Sequence, residues 1–189
     1  MAFNTDLKVV TGRVRLSYQH LDEPSAAVEG AEPKYSAVLM VPKSDAATKD
    51  KLDKAVKAAI DERFEGKLPK GANPIFKDGD KEMERKFDGG VDHEKNPEYA
   101  GHWILSASAK ATKKPILLGA GNAQVDDSEF YSGCYVRASL IAWGYDAAGN
   151  TGVGFSLMSL KKVADGEPFG TVYDPSDDFG DDDDEDSLI

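Results

Sequence analysis

Residues 134–163 read CYVRASLIAWGYDAAGNTGVGFSLMSLKKV, and their pattern decides the fold. Over 134–143, Cys134, Val136, Ala138, Leu140 and Ala142 alternate with Tyr135, Arg137, Ser139, Ile141 and Trp143. A period of two with one small apolar face is the signature of a strand lying against a core. Asp146, Gly149 and Asn150 supply turn chemistry, so residues 151–163 return as the second strand of a hairpin. The glycine-rich start of that second strand predicts a bend or bulge where a small barrel closes.

Working outward, HWILSASAK (102–110) places Trp103, Leu105, Ala107 and Ala109 on one face and Ile104, Ser106, Ser108 and Lys110 on the other. KYSAVLMVPK (34–43) is nearly all apolar, as a central strand is, and Pro42 ends it. In LKVVTGRVRLSYQHL (7–21), Val10, Val14, Leu16 and Tyr18 fall on one face, with Arg13, Arg15 and Ser17 opposite. Residues 22–33 read as a loop. Ser44 opens a helix over 45–64, whose apolar positions Leu52, Ala55, Val56, Ala59, Ile60 and Phe64 recur at three- and four-residue spacing before Gly66. That helix is scaffold capping the core. Residues 66–101 hold six Gly and three Pro without clear periodicity, the mark of a functional loop or mobile insertion. Five strands and one helix without βαβ alternation predict a mainly β protein, a five-stranded antiparallel barrel with one α-helix and a long loop insertion.

Charge divides the chain. Its 189 residues carry 23 Lys plus Arg against 34 Asp plus Glu, a net charge of -11. Residues 174–189, DPSDDFGDDDDEDSLI, hold nine of the acids and no Lys or Arg, which leaves 23 against 25, or -2, over 1–173. A block of like charge buries too little apolar surface to offset its ordering entropy, so we expect a domain over 1–173 and a disordered acidic tail over 174–189. The run closes on Leu188 and Ile189, after an acidic core that includes Asp181, Asp182, Asp183 and Asp184. A charged tether with an apolar tip suits capture by a partner protein, although a plain solubilising tail is the simpler reading. No apolar run approaches the ~20 residues that span a bilayer, and MAFNTDLKVV lacks the basic and apolar regions of a signal peptide. A soluble, cytoplasmic protein is expected.

No catalytic constellation is visible. There is no GxxxxGK[ST] loop, no GxSxG elbow and no HExxH, and His20, His93 and His102 stand in unrelated contexts. One cysteine, Cys134, and three histidines make a Cys/His zinc site an unsuitable reading, and KDGDKE (77–82) lacks the later ligands of a calcium loop. We expect no catalytic residues, no metal and no cofactor. The strand faces offer binding instead. Tyr135 and Trp143 flank Arg137 on one face, Arg13 and Arg15 share the non-core face of 7–21, and Lys110, Lys113 and Lys114 lie in a stretch with no acid. Rings stack on unpaired bases, and Arg and Lys track phosphates. The plainer alternative is that both rings pack beneath the helix or the long loop.

GRVRLSY (12–18), KYSAVLMVPKSD (34–45), PEYAGHW (97–103), YSGCYVRASL (131–140), GNTGVGF (149–155) and DGEPFG (165–170) together resemble a family of tailed-phage and prophage single-stranded-DNA-binding proteins. The resemblance covers about residues 5–172 and is weak over 66–96. It implies an oligonucleotide/oligosaccharide-binding (OB) barrel with an acidic, apolar-tipped tail. It also implies a role in coating strands exposed in phage replication, recombination and repair, in the cytoplasm of the infected bacterial host. The resemblance carries over no contact map. The DNA-binding candidates Arg13, Arg15, Lys110, Lys113, Lys114, Tyr135, Arg137 and Trp143 therefore rest on strand faces and charge. The expected partners are single-stranded DNA and, through the tail, phage or host replication and recombination proteins, with no membrane. Homo-oligomerisation stays open. The rival readings are an acidic DNA mimic or adaptor that binds proteins, and a metal-dependent nuclease using the carboxylates of 78–98.

Overall fold

The computed structural model describes residues 2–82, 85–87, 90–92, 97–147 and 149–169, with backbone alone at 85–87, 90–92 and 97. His93, most of the 83–96 carboxylates and the whole of 174–189 lie outside the described residues. In chain order the strands are β1 (Lys8–Val10), β2 (Val14–Ser25), β3 (Lys34–Pro42), β4 (Lys77–Asp78), β5 (Arg85–Phe87), β6 (Gly90–Asp92), β7 (His102–Lys110), β8 (Ile116–Leu118), β9 (Tyr135–Ala147) and β10 (Asn150–Ala164). The helices are α1 (Ala46–Phe64) and α2 (Gly79–Glu82).

Five long strands close on themselves. β9 pairs with β2, β2 with β3, β3 with β7, β7 with β10, and β10 with β9 again. Four of these seams are antiparallel and the β7–β10 seam is parallel, through Ser108 and Ser156. This is the small barrel the hairpin pattern predicts, and it removes the free edges that an open sheet would expose. Its interior is packed by Val14, Leu16, Leu39, Leu105, Leu140, Leu157 and Leu160, all buried. The small face predicted for 134–142 is fully inside, and burial pushes the Cys134 thiol above its ordinary range. That thiol is a core residue.

α1 covers part of this core with Leu52, Ala55, Val56 and Ala59. Its N-cap is Asp45, not Ser44: one carboxylate oxygen accepts from Thr48 N at 3.1 Å and the other from Thr48 Oγ1 at 2.6 Å. Those bonds hold the Asp45 carboxyl below its ordinary range. Gly12 donates its N–H to Thr48 Oγ1 at 2.9 Å, and a Cβ there would lie 2.7 Å from Asp45 Oδ2. Helix and barrel meet at a position where a side chain would press on the capping carboxylate and hydroxyl.

Three local readings of the sequence need correction, and each fails for the same reason. The stretch 7–21 is not one alternating strand. Val10 faces Ser139 and Val14 faces Val136, so the partner sum rises by one residue between them. An extra residue inverts the side-chain parity beyond it. Val10 is accordingly exposed while Val14 and Leu16 are buried. A second irregularity between Ser17 and His20, with Tyr18 at φ 42°, turns Tyr18 outward and leaves Ser17 buried. In β10 the register is regular from Asn150 to Leu157 and slips at Met158, so the bulge follows the glycine-rich start rather than occupying it.

The supposed loops are also partly structured. β2 runs on to Ser25, β8 pairs in parallel with β10, and 66–101 carries β4, α2 and the β5–β6 hairpin. Apart from β2, these elements are two to four residues long, too short to leave a periodicity in the sequence.

Candidate nucleic-acid interface

The outward face of β9 carries the predicted rings. Trp143 lies opposite Gly154 and is 42% exposed. Its ring packs on Tyr145, centroids 5.5 Å apart at 54°. A Cβ on Gly154 would come within 3.3 Å of the Trp143 ring, and one on Gly152 within 2.7 Å of the Tyr145 hydroxyl. The two glycines therefore make room for a tilted aromatic pair on the outside of the barrel. Neither ring packs under the helix.

Tyr145 is also a wall of a groove of about 500 Å³ on the outer side of β3, β7 and β10. Val38, Ile104 and Ser106 form its floor, and Tyr18, which is 58% exposed, stands at the opposite side. Ile75, Lys77 and Glu82, from the segment that follows α1, form a further wall, with Lys77 paired to Glu82 at 3.8 Å. That segment is fastened at several points. Asn73 N donates to Thr151 O at 2.8 Å, and its side-chain amide to the Tyr145 hydroxyl at 3.1 Å. Lys43 Nζ reaches Asp78 and Asp80 at 2.6 Å each, and Asp80 accepts from Gly101 N at 2.8 Å. Lys43 holds both carboxyls below their ordinary range and is itself raised. Lys43 and Lys49 lie over the Trp103 ring at 4.8 and 5.2 Å. The carboxylates that a nuclease reading would enlist at Asp78 and Asp80 are thus the anchors of a groove wall.

Beside the groove, Met40, Tyr99 and Ile104 form a small apolar cluster on the outside of the sheet, with Val38 and Phe169 against it. Burial raises the Tyr99 phenol, which is hydrogen-bonded to Ser17.

The predicted cations divide into two groups. Lys110 continues the outward row Ile104, Ser106, Ser108 of β7 and pairs with Lys34 of β3. It carries that face onward with positive charge, and the exposed Lys113 lies in the turn that follows, its N–H donating to Lys110 O at 2.8 Å. Lys114 turns aside, with its Nζ 3.9 Å from Asp127 and 5.8 Å from the centre of the Tyr35 ring. Arg13, Arg15 and Arg137 gather around the other end of β9. Arg13 sits 4.1 Å over the Tyr135 ring, Arg15 sits 4.3 Å over Phe169, and Arg137 Nε donates to Thr11 O at 3.0 Å. None of these three arginines forms an ion pair with a described residue. Tyr135 is half-buried with a guanidinium on its face, so it supports Arg13 and is no open platform of its own. Arg15 borders the groove through Phe169.

Tyr18, Tyr99 and Tyr145 were not singled out from the sequence as binding residues. Tyr145 was legible, because it continues the alternation of Tyr135 through Trp143 by one more step. Tyr18 was hidden by the bulge that inverts it, and Tyr99 by the short elements around it.

Among the described residues no helix is long and apolar enough to cross a membrane. The family model described as the single-stranded-DNA-binding protein of Enterobacter phage Enc34 matches residues 7–189. Protein p50 of Acyrthosiphon pisum secondary endosymbiont phage 1 is 32% identical over 172 residues, 86% of each chain. The structure of the bacteriophage Enc34 single-stranded-DNA-binding protein in complex with single-stranded DNA is similar at a TM-score of 0.72 and 29% identity, over 87% of this chain and 90% of that one. The gp2.5 single-stranded-DNA-binding protein of bacteriophage T7 shares the fold at a TM-score of 0.58 and 11% identity, over 90% of this chain and 99% of that one.

Proposed function

The chain belongs to the Enc34 family of phage single-stranded-DNA-binding proteins, and from that premise we propose that it coats single strands without regard to sequence. Bases stack on Trp143, Tyr145 and Tyr18 along the groove, while Lys110, Lys113 and the Arg13, Arg15, Arg137 group hold phosphates at its two ends. Aromatic stacking contributes roughly 1–3 kcal/mol per base and is indifferent to base identity. Duplex bases are already stacked on each other, which supplies the preference for single strands. The observation that carries this reading is the exposed Trp143 ring packed on Tyr145, which walls a groove with an apolar floor. The work is binding, done in the cytoplasm of the infected bacterial host during replication, recombination and repair.

The acidic tail belongs to the same reading. Tethered to the domain, it has an effective concentration on the order of millimolar at the basic surface. That suffices to compete with weakly held DNA and not with a well-stacked strand. Once displaced, Leu188 and Ile189 are free to recruit phage or host replication and recombination proteins. A gel shift with a short poly(dT) strand tests the whole. The full chain shifts the strand, and the chain lacking 174–189 shifts it at lower concentration but no longer captures the partner. No shift from either form favours an adaptor that binds proteins, and unchanged or weaker affinity after truncation refutes competition by the tail.

A further inference from the structure

A second groove of about 460 Å³ lies away from the first, between the N-terminal turn and α1. Lys8, Lys51, Lys54 and Lys57 line it, with Asp6 and Asp61. Residues 51, 54 and 57 recur every three positions and so share one side of the helix, whose buried stripe is Leu52, Ala55, Val56 and Ala59. Lys57 is paired with Asp61 at 3.1 Å. Lys8, Lys51 and Lys54 are exposed and form no ion pair with a described residue. Lys8, Lys51, Lys54 and Lys57 outnumber the two carboxylates of this concavity, Asp6 and Asp61, and an anion laid between the ammonium groups relieves their mutual repulsion.

The position of the groove indicates which anion. Lys8 pairs with Ile141 of β9, and directly opposed residues of an antiparallel pair share a face. Trp143 is two residues further along that same outward face, about 7 Å away. A strand stacked on the Trp143–Tyr145 pair and leaving it along β9 meets Lys8 first, then Lys51 and Lys54. We propose that the Lys8–Lys51–Lys54 groove is a second, purely electrostatic track for the phosphodiester backbone of the strand that leaves the aromatic pair. This deepens the DNA-binding reading and rests on it. The occluded length of strand then includes a stacked segment in the first groove and a phosphate-held segment against α1.

The test compares two poly(dT) strands, one of about six nucleotides that fills only the first groove and one of about 25 that can reach both. Binding of the full-length chain and of the triple variant Lys8→Gln, Lys51→Gln, Lys54→Gln is followed across a salt series. Each single-strand phosphate contact contributes about 0.7 to the slope of log K against log salt, so losing three lowers the slope by about two. For the long strand, the wild-type affinity is then expected to fall about twentyfold more than the variant's between 50 and 200 mM salt. The short strand is expected to show no difference, and the triple Lys→Arg variant to keep the wild-type slope. An equal slope for wild type and glutamine variant on the long strand overturns the track while leaving the first groove standing. A wild type that binds neither strand overturns the function and the track together. The competing occupant is the acidic tail. If the glutamine variant loses its effect once Asp181, Asp182, Asp183 and Asp184 are changed to Asn, the lysines hold the tail and the proposal fails.

Discussion

At the scale of single residues, the account depends on side chains that leave the core. Trp143 is exposed, opposite a glycine, and contributes little to packing inside the barrel. Trp143→Ala is expected to weaken single-strand binding by roughly 1–3 kcal/mol while the thermal midpoint stays within a few degrees of wild type. A protein that melts much earlier and binds as before would return the ring to a structural role. Tyr18 makes a sharper case. Its φ of 42° costs a side-chain-bearing residue about 1–2 kcal/mol, and such backbone outliers gather at functional sites. Tyr18→Gly is therefore expected to lower affinity by about 1–3 kcal/mol and to leave stability unchanged or slightly raised. Thermal melts and a poly(dT) titration of the same variant check this, and a joint loss of both contradicts it. Residue by residue, regular alternation places Trp143 and Lys110 on the outward faces of their strands, where the structure has them exposed. It could not show Tyr18, because one inserted residue reverses every assignment downstream of it.

Between elements, α1 and the insertion meet the barrel at close contacts. A Cβ at Gly144 would lie 2.5 Å from Arg63 Cβ and 3.1 Å from the Phe64 ring. The neighbour at that distance is the base of a side chain, which cannot swing aside. Gly144→Ala is expected to destabilise by about 1–3 kcal/mol through overpacking between α1 and β9, read as a lower midpoint in urea. The insertion responds to pH. Lys43 depresses the carboxyls of Asp78 and Asp80 in the folded chain, so the support they give is complete above the ordinary carboxylate range and is lost as pH falls below it. Hydrogen exchange around 77–82, measured relative to the intrinsic rate at each pH, is expected to speed up below about pH 4 in the wild type. In Lys43→Met it is expected to be fast already at neutral pH. Equal protection at both pH values would mean that the wall is held by other contacts. Barrel and main helix were legible from periodicity, whereas β4, β8, α2 and the hairpin 85–92 were not. Elements this short are held by tertiary pairing, such as β4 against Ile104 and Trp103, and have no pattern of their own.

Over the whole molecule, the net charge of -11 conceals a domain close to neutral, since nine acids sit in the last sixteen residues. Repulsion between that tail and a bound strand is screened beyond roughly 10 Å in 0.1 M salt. On the proposed reading, the local fields of the arginines and lysines that pair with no described residue decide where a strand lies. The central claim is that rings on the outer wall of the barrel stack on unpaired bases. Titrating the intrinsic tryptophan fluorescence of the full-length chain with single-stranded and then duplex oligonucleotides tests it directly. The account predicts saturable quenching by the single strand, much weaker quenching by the duplex, and loss of the signal in Trp143→Phe, where only Trp103 remains. Quenching that persists unchanged in that variant, or that is equal for both kinds of DNA, would contradict it.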